Sequence, residues 1–261
     1  MKTSSQQRID DYRQQGWWGD ITLHGQLELQ ARENPDLLAV ADQPNLKELT
    51  GDEPRRLSYA ELHAASTQVS CDLLNKGIGA EDRVIVQLPN IVELVICYMA
   101  FSKIGAIMSP VPVQYGSHEL HHICSTISPV AIITVGHFGA LDLAQNAATI
   151  TQDNVQLLVF GADLIFTTEN HPGSDKQLSN YQRAHSSDAD DILTISWTSG
   201  TTGTPKGVPR SHNMWFATAR SSAEAEDYQA GDRFLNIFPL VNMASIGGFL
   251  FPALLLGCTI I

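Results

Sequence analysis

"RVIVQLPNIVELVICYMAFSKIGAIMSPV", Arg83 to Val111, decides the fold. Its first run, "RVIVQL", is short, β-branched and apolar on successive residues, which suits a strand buried on both faces. Pro89 and Asn90 interrupt it. The apolar stretch "IVELVICYMAFSKIG" is too long for a strand and stops at a glycine, so it reads as a helix, and "AIMSPV" supplies the next strand. A strand, a helix and a strand within about 30 residues form a crossover whose two strands run parallel. Toward the C-terminus the alternation continues: a helix from Ser117, strand "VAIITV" (130–135), helix "ALDLAQNAATI" and strand "VQLLVF" (155–160). Toward the N-terminus, "RLSYAELHAASTQVSCDLLNKG" predicts a helix with Ser58 as N-cap, Glu61 completing a capping box and Gly77 as the stop. Before it lies a polar lead holding Trp17 and Trp18, read as packing for an N-terminal arm. The expected fold class is α/β, a parallel βαβ-type sheet covered by helices.

From Ala162 to Asp191 the composition turns polar and charged around one Pro-Gly pair, the mark of a surface connection. A boundary is therefore expected near Asp190: residues 1–190 as a first α/β subdomain with its arm, and 191–261 as the start of a second, truncated one. The second part predicts a strand at 192–197, a helix from about Asn213, strand "RFLNIF" (233–238), a helix-like "IGGFLFPALLL" and a strand barely begun at "GCTII". An apolar end without a cap reads as a cut, and "FLNIF" and "FLFPALLLGCTII" are then expected to lie uncovered and to drive self-association through 233–261.

The 16 basic residues against 28 acidic, net charge -12, leave no electrostatic footprint for nucleic acid or an anionic membrane. No apolar stretch is long enough to span a bilayer, and the polar start lacks the apolar core of a signal peptide. Four cysteines without a CxxC pair, three of them inside apolar periodic stretches, suit a reducing compartment, so a cytoplasmic location is expected.

Directly behind the apolar run "ILTISW" stands "TSGTTGTPKG", Thr198 to Gly207. Glycine-freed backbone N–H groups, hydroxyls and one lysine make a donor surface suited to phosphate oxygens. The NTPase pattern GxxxxGK[ST] fails, because Pro205 precedes the lysine and Gly207 follows it, and GxGxxG is missing; a flexible linker is the bland alternative. "HELHH", His118 to His122, matches HExxH, so a zinc hydrolase stands as a rival, with a non-enzymatic nucleotide-binding or scaffold module as a third reading. Against zinc, the helix is short, and no glutamate lies where a third ligand would be expected.

"ISWTSGTTGTPKGVPRSH", Ile195 to His212, resembles the phosphate-loop signature of the adenylate-forming (AMP-binding) enzymes: acyl-CoA synthetases, aryl-acid adenylating ligases and their relatives. The resemblance extends through "LSYAEL", "DRVIVQLPNIVEL", "SKIGAIMSPV" and "FPLVNMASIGG", and "YRQQGWWGD" is most similar to ligases of aryl, alicyclic or medium-chain acids. It implies the first N-terminal subdomain of such a ligase and the opening of the next. It also implies an acid activated with Mg-ATP as acyl-AMP, pyrophosphate released, and the acyl group passed to coenzyme A or to a carrier-protein thiol. Thr198, Ser199, Gly200, Thr201, Thr202 and Gly203 would then hold phosphates, with Lys206 a point charge on the leaving pyrophosphate.

In "FPLVNMASIGG" many relatives carry Pro-x-aromatic-His, and this sequence departs from that pattern. Counting from Pro239 puts Val241 at the aromatic's place and Asn242 at the histidine's; a one-residue gap would align Asn242 with an asparagine that follows the histidine in aryl-acid ligases. Asparagine can orient a carboxylate but cannot titrate, and Asn242 could also simply cap the following helix. Val241, Asn242, Ser245 and Gly247 are the expected pocket, small and without a cation, which fits an apolar or aromatic acid. The family's adenine, ribose and magnesium-binding segments and its C-terminal lysine would fall beyond Ile261, so the chain alone is expected to be inactive.

Overall fold

The computed structural model describes residues 1–151, 155–198 and 205–261. Two helices, α1 (Gln6–Gln14) and α2 (Leu23–Glu33), lead into β1 (Leu38–Ala41), α3 (Leu46–Thr50) and β2 (Arg56–Ser58). The crossover region follows as α4 (Tyr59–Asn75), β3 (Arg83–Gln87), α5 (Val92–Ile104), β4 (Ile107–Pro110), α6 (Ser117–Ile127) and β5 (Ala131–Thr134). A small hairpin of β6 (His137–Phe138) and β7 (Leu141–Asp142) precedes α7 (Leu143–Ala148), β8 (Gln156–Val159) and α8 (Pro172–Ala184). Beyond it come β9 (Ile192–Thr198), β10 (Lys206–Ser211), α9 (His212–Ala225), β11 (Arg233–Phe234) and α10 (Met243–Ser245). A π-helical turn at Ile246–Leu250, α11 (Phe251–Leu256) and β12 (Thr259–Ile260) complete the order.

The deciding stretch folds as read. β3 pairs parallel with β4 on one side and β5 on the other, and β8 extends the parallel set. α5 is buried at every position, which is why its sequence shows no polar face. Its first turn is capped from outside: Asp42, just after β1, accepts the Val92 N–H at 2.8 Å. The Ser58 and Glu61 capping box of α4 is present, and Gly77 takes φ 80° just past its end.

The strand after Asp190 does not open a new sheet. β9 pairs parallel with β4, Met108 opposite Thr194, and the six-stranded order is β10-β9-β4-β3-β5-β8. The second sheet, β11-β12-β1-β2, joins the last strands to the first ones. The expected boundary at 190/191 therefore separates no pair of sheets: the N-terminal lead supplies two strands of the second sheet, and β9 and β10 finish the first.

Other local expectations are corrected. The polar connection at 162–191 contains α8, whose only buried residue is Leu178, with Tyr181 partly buried beside the core; two apolar contacts carry too weak a period to read. The "ALDLAQNAATI" helix is shortened by the β6–β7 hairpin and starts where Asp142 accepts the Gln145 N–H. "RFLNIF" pairs only at Arg233 and Phe234. Much of "FLFPALLLGCTII" is covered rather than exposed, with Leu250, Phe251, Leu254 and Cys258 buried. In "FLNIF", Leu235, Ile237 and Phe238 are exposed while Phe234 is buried. The four cysteines are free.

Candidate functional site

β9 and β10 form an antiparallel hairpin whose last pair is Lys206 opposite Thr198, followed inward by Gly207 opposite Trp197. Five sequence-predicted phosphate ligands, Ser199, Gly200, Thr201, Thr202 and Gly203, lie outside the described residues. Thr198 and Lys206 are both exposed at the hairpin end, and the Lys206 ammonium has no carboxylate within 4 Å among the described residues. A cation held out by a strand end is available to an anionic ligand.

Gly207 is required by a close approach. A Cβ there would lie 2.9 Å from Ile195 Cγ2 and 3.3 Å from Trp197 Cη2. The space is taken by the Ile195 side chain and the Trp197 indole, whose Nε1–H donates to Ser109 Oγ on β4 at 2.8 Å. The Lys-Gly step thus lets the lysine point out while the indole lies across the next residue and ties the hairpin to the parallel strands.

The second segment, 236–245, is held by side chains that pattern reading of the sequence did not single out. Asn90, in the turn between β3 and α5, donates to the Phe238 carbonyl at 2.7 Å and accepts the Leu240 N–H at 2.7 Å. The buried Tyr98 hydroxyl donates to the Leu240 carbonyl at 2.8 Å. Asn236 Oδ1 accepts from Ser245 Oγ at 2.9 Å. A Pro-Asn pair before a helix reads as a turn and cap, but Ile91 occupies the N-cap position of α5, and the Asn90 amide reaches across to the distant segment instead. No local signal in the sequence distinguishes those two uses.

Asn242 Oδ1 accepts the Ser245 N–H at 2.9 Å, so the capping alternative is realised. Its Nδ2 makes no hydrogen bond among the described residues, and the side chain is half-buried, so a cap and a donor to a ligand are compatible uses of one amide. Val241 is buried and borders a surface cavity of about 200 Å³ with Leu88, Asn90, Val113 and Phe138. Ser245 and Gly247 are packing residues: Ser245 is fully buried, and a Cβ on Gly247 would lie 2.6 Å from Thr218 Cγ2 of α9. Gly247 thus lets the π-helical turn sit against α9. That turn precedes Pro252, which has no N–H for the Gly248 carbonyl, and the Phe251 N–H bonds Ile246 O in the wider register. β10 links the two segments: Arg210, four residues along from Lys206, contacts Met243 Sδ at 3.3 Å.

Zinc through the HELHH stretch finds no support. His118 is exposed, His122 is bonded to a backbone carbonyl, and among the described residues no group of three or more His, Cys, Asp or Glu could hold a metal. None of the helices among the described residues is long and apolar enough to cross a membrane.

The geometry has clear relatives. Enterobactin synthase component E of Escherichia coli is 29% identical over 237 residues, 88% of this chain and 41% of its own length. The medium-chain fatty-acid–CoA ligase of the same organism is 27% identical over 242 residues, 91% of this chain and 41% of its own. The apo structure of MbtA from Mycobacterium smegmatis superposes with a TM-score of 0.78 at 27% identity, covering 100% of this chain and 47% of that one. O-succinylbenzoate coenzyme A synthetase from Bacillus subtilis, solved with AMP, shares the fold at a TM-score of 0.71 and 20% identity, covering 93% of this chain and 55% of that one. The chain spans less than half the length of the curated relatives it matches. The sequence profile of the AMP-binding enzyme family matches residues 27–261, and the chain belongs to that family, whose relatives here are acyl-CoA and aryl-acid ligases.

Proposed function

We propose that the protein containing this chain is an ATP-dependent carboxylic acid:thiol ligase for an apolar, alicyclic or aromatic acid, with coenzyme A as the acceptor. The observation that supports it most is the hairpin end, where Lys206 is exposed opposite Thr198, without a carboxylate partner among the described residues, inside a phosphate-loop signature of the family. A carboxylate oxygen attacks the α-phosphorus of ATP, the bond from that phosphorus to the bridging oxygen breaks, and pyrophosphate leaves with the electron pair. The thiol sulfur then attacks the acyl carbon and AMP departs. Both reactants of the first step are anionic, so the enzyme's task is to neutralise and align.

Lys206 supplies a point charge to the leaving pyrophosphate, and Thr198 with residues 199–203 supplies donors to the phosphates, the latter on their sequence alone. Asn242 donates from Nδ2 to the reacting carboxylate while Oδ1 stays on its cap; an amide does not titrate, so it orients the acid and moves no proton. The apolar wall at Val241 favours an acid without a charged side chain. ATP brings Mg²⁺ as its counter-ion, and the described residues offer no cluster to hold it, so no step is assigned to a metal ligand here. Loading of a carrier-protein phosphopantetheine thiol is the second reading, favoured by the similarity to enterobactin synthase component E and to the salicyl-AMP ligase / salicyl-S-ArCP synthetase of Mycobacterium tuberculosis.

Pyrophosphate release by the whole protein, measured with hexanoate, cyclohexanecarboxylate, benzoate and a panel of amino acids, tests the substrate class. Preference for one of the first three supports it, and preference for an amino acid contradicts it. Coenzyme A and a carrier protein offered in parallel separate the two acceptors.

A further inference from the structure

The HELHH stretch lies on α6, and its last histidine faces the sheet. His122 Nε2 is 3.0 Å from the Pro205 carbonyl oxygen. Its ring meets the Trp197 indole edge-on, centroids 6.2 Å apart. Trp197 stands one residue before Thr198 on β9, and Pro205 immediately precedes Lys206 on β10. One imidazole therefore touches β9 and the residue that leads into β10, at the hairpin end that carries Lys206. A carbonyl oxygen only accepts, so Nε2 carries the hydrogen, and the bond survives in either charge state of the ring.

β10 is the outermost strand of its sheet and is paired on one side only. Ends of edge strands open with little free energy unless something besides the ladder holds them. At this end the ladder closes with its last pair, Lys206 opposite Thr198. The Thr198 hydroxyl reaches the Lys206 carbonyl at only 3.5 Å, and Pro205 has no N–H to give. A second restraint, independent of the ladder, runs from β4 through the Ser109–Trp197 hydrogen bond to the indole, from the indole to the His122 ring, and from His122 to the Pro205 carbonyl.

We infer that His122 is a positioning residue for Lys206: its Nε2–H fixes the peptide that enters β10 and so aims the lysine ammonium. The motif that resembles a zinc ligand pair is, on this geometry, a tether between a helix and the phosphate-binding hairpin. The hairpin tether itself does not depend on the ligase reading; its effect on turnover does.

Two readouts on the whole protein test it, with His122→Ala, His122→Phe and His122→Gln. Phe keeps the ring against Trp197 and removes the donor, while Gln keeps an amide N–H close to the position of Nε2. Hydrogen exchange of the peptide spanning 205–211 is expected to speed about five-fold in Ala and Phe and to stay within about two-fold of wild type in Gln, the size of one modest hydrogen bond. The amides of α5 serve as the control for folding. For pyrophosphate release, kcat/KM for Mg-ATP is expected to fall about five-fold in Ala and Phe and to be restored by Gln, with KM for the acid unchanged. Should Ala fail to fold, the Phe and Gln pair carries the comparison. Wild-type protection of 205–211 in Phe or Ala, or rescue by Phe as complete as by Gln, overturns the inference. The expected exchange pattern in a protein that releases no pyrophosphate with any acid supports the tether and contradicts the ligase reading.

Discussion

Single side chains carry two jobs at this site, and that limits what a sequence can disclose. Asn242 is both the N-cap of α10 and the residue with an uncommitted amide at the proposed acid position. A pattern of residue types cannot separate those uses, because both need the same short polar side chain. Lys206, a lysine between proline and glycine behind a buried strand, is exposed opposite Thr198, and its charge role belongs to the proposed function. Gly247 is expected from the sequence as pocket lining, but smallness serves equally for a cavity and for helix contact, and a Cβ there would lie 2.6 Å from Thr218 Cγ2. Asn90 was invisible in function because its partners lie about 150 residues away in sequence.

Two outcomes follow at this scale. Lys206→Ala in the whole protein is expected to lower kcat for pyrophosphate release by about 10²-fold, as for loss of one charge-stabilising donor, with the fold intact by circular dichroism. Asn90→Ala removes both bonds that clamp 238–240 and leaves the Leu240 N–H without its acceptor. It is expected to destabilise by about 2 kcal/mol in urea unfolding and to raise KM for the acid more than KM for ATP. Unchanged KM for the acid would show that the clamp does not shape the acid site.

At the scale of elements, what was legible followed burial. β3, α5, β4 and β5 stand where their apolar runs put them because nearly every position is buried, and α6 because its buried Leu120, Ile123 and Ile127 recur at helical spacing; β8 completes the parallel set beside β5. Elements with weak local signals escaped: α8, held by Leu178 and Tyr181, β1, which pairs with β12 about 200 residues later, and the short β2, which pairs only with β1. Strand pairing at that separation leaves no local trace. Beyond Arg233 and Phe234 the "FLNIF" run still gives the Asn236 N–H to the Ile261 carbonyl, while Asn236 Oδ1 accepts from Ser245 Oγ and Asn90 donates to the Phe238 carbonyl; Leu235 and Ile237 are 68% and 75% exposed. These side chains flank β11 at the edge of the second sheet. An apolar, unpaired edge promotes association, so this 261-residue chain is expected to self-associate in light scattering at micromolar concentration, and Leu235→Lys with Ile237→Lys is expected to shift it toward monomer. A double variant as associated as the wild type would place the contact elsewhere.

Across the whole molecule, the N-terminal helix α2 is fastened to the late helix α9 by a buried histidine. His212, the first residue of α9, accepts the Leu23 N–H of α2 at Nδ1 over 3.1 Å, a bond that protonation of Nδ1 would break. Burial lowers His212 to about 3, His24 to about 3 and His63 to about 4. The unfolded chain then binds more protons than the folded one between about pH 3 and the ordinary value near 6.5, so these groups add stability that is complete above that value and lost as pH falls through the window. The buried carboxyls Asp42 and Glu93 are raised by burial and act in the opposite sense, folded protonation being favoured as acid is added. The variant His212→Asn, whose Oδ1 can replace Nδ1 as acceptor, isolates one histidine. The difference in unfolding free energy between pH 7.5 and 5.5 is expected to shrink by about 1.4 kcal/mol relative to wild type. No change in that difference would mean that His212 titrates normally in the folded chain.

The measurement that bears most directly on the proposed chemistry is acid-dependent exchange of labelled pyrophosphate into ATP by the whole protein, with no thiol present, in wild type and Lys206→Ala. Formation of an acyl-adenylate is reversible, so an adenylating ligase must return label to ATP when an apolar or aromatic acid is supplied and not otherwise. Exchange that requires the acid and falls about 10²-fold in Lys206→Ala is the expected result. Exchange that is absent with every acid, or that is indifferent to Lys206, would contradict an acid-activating site built on the β9–β10 hairpin.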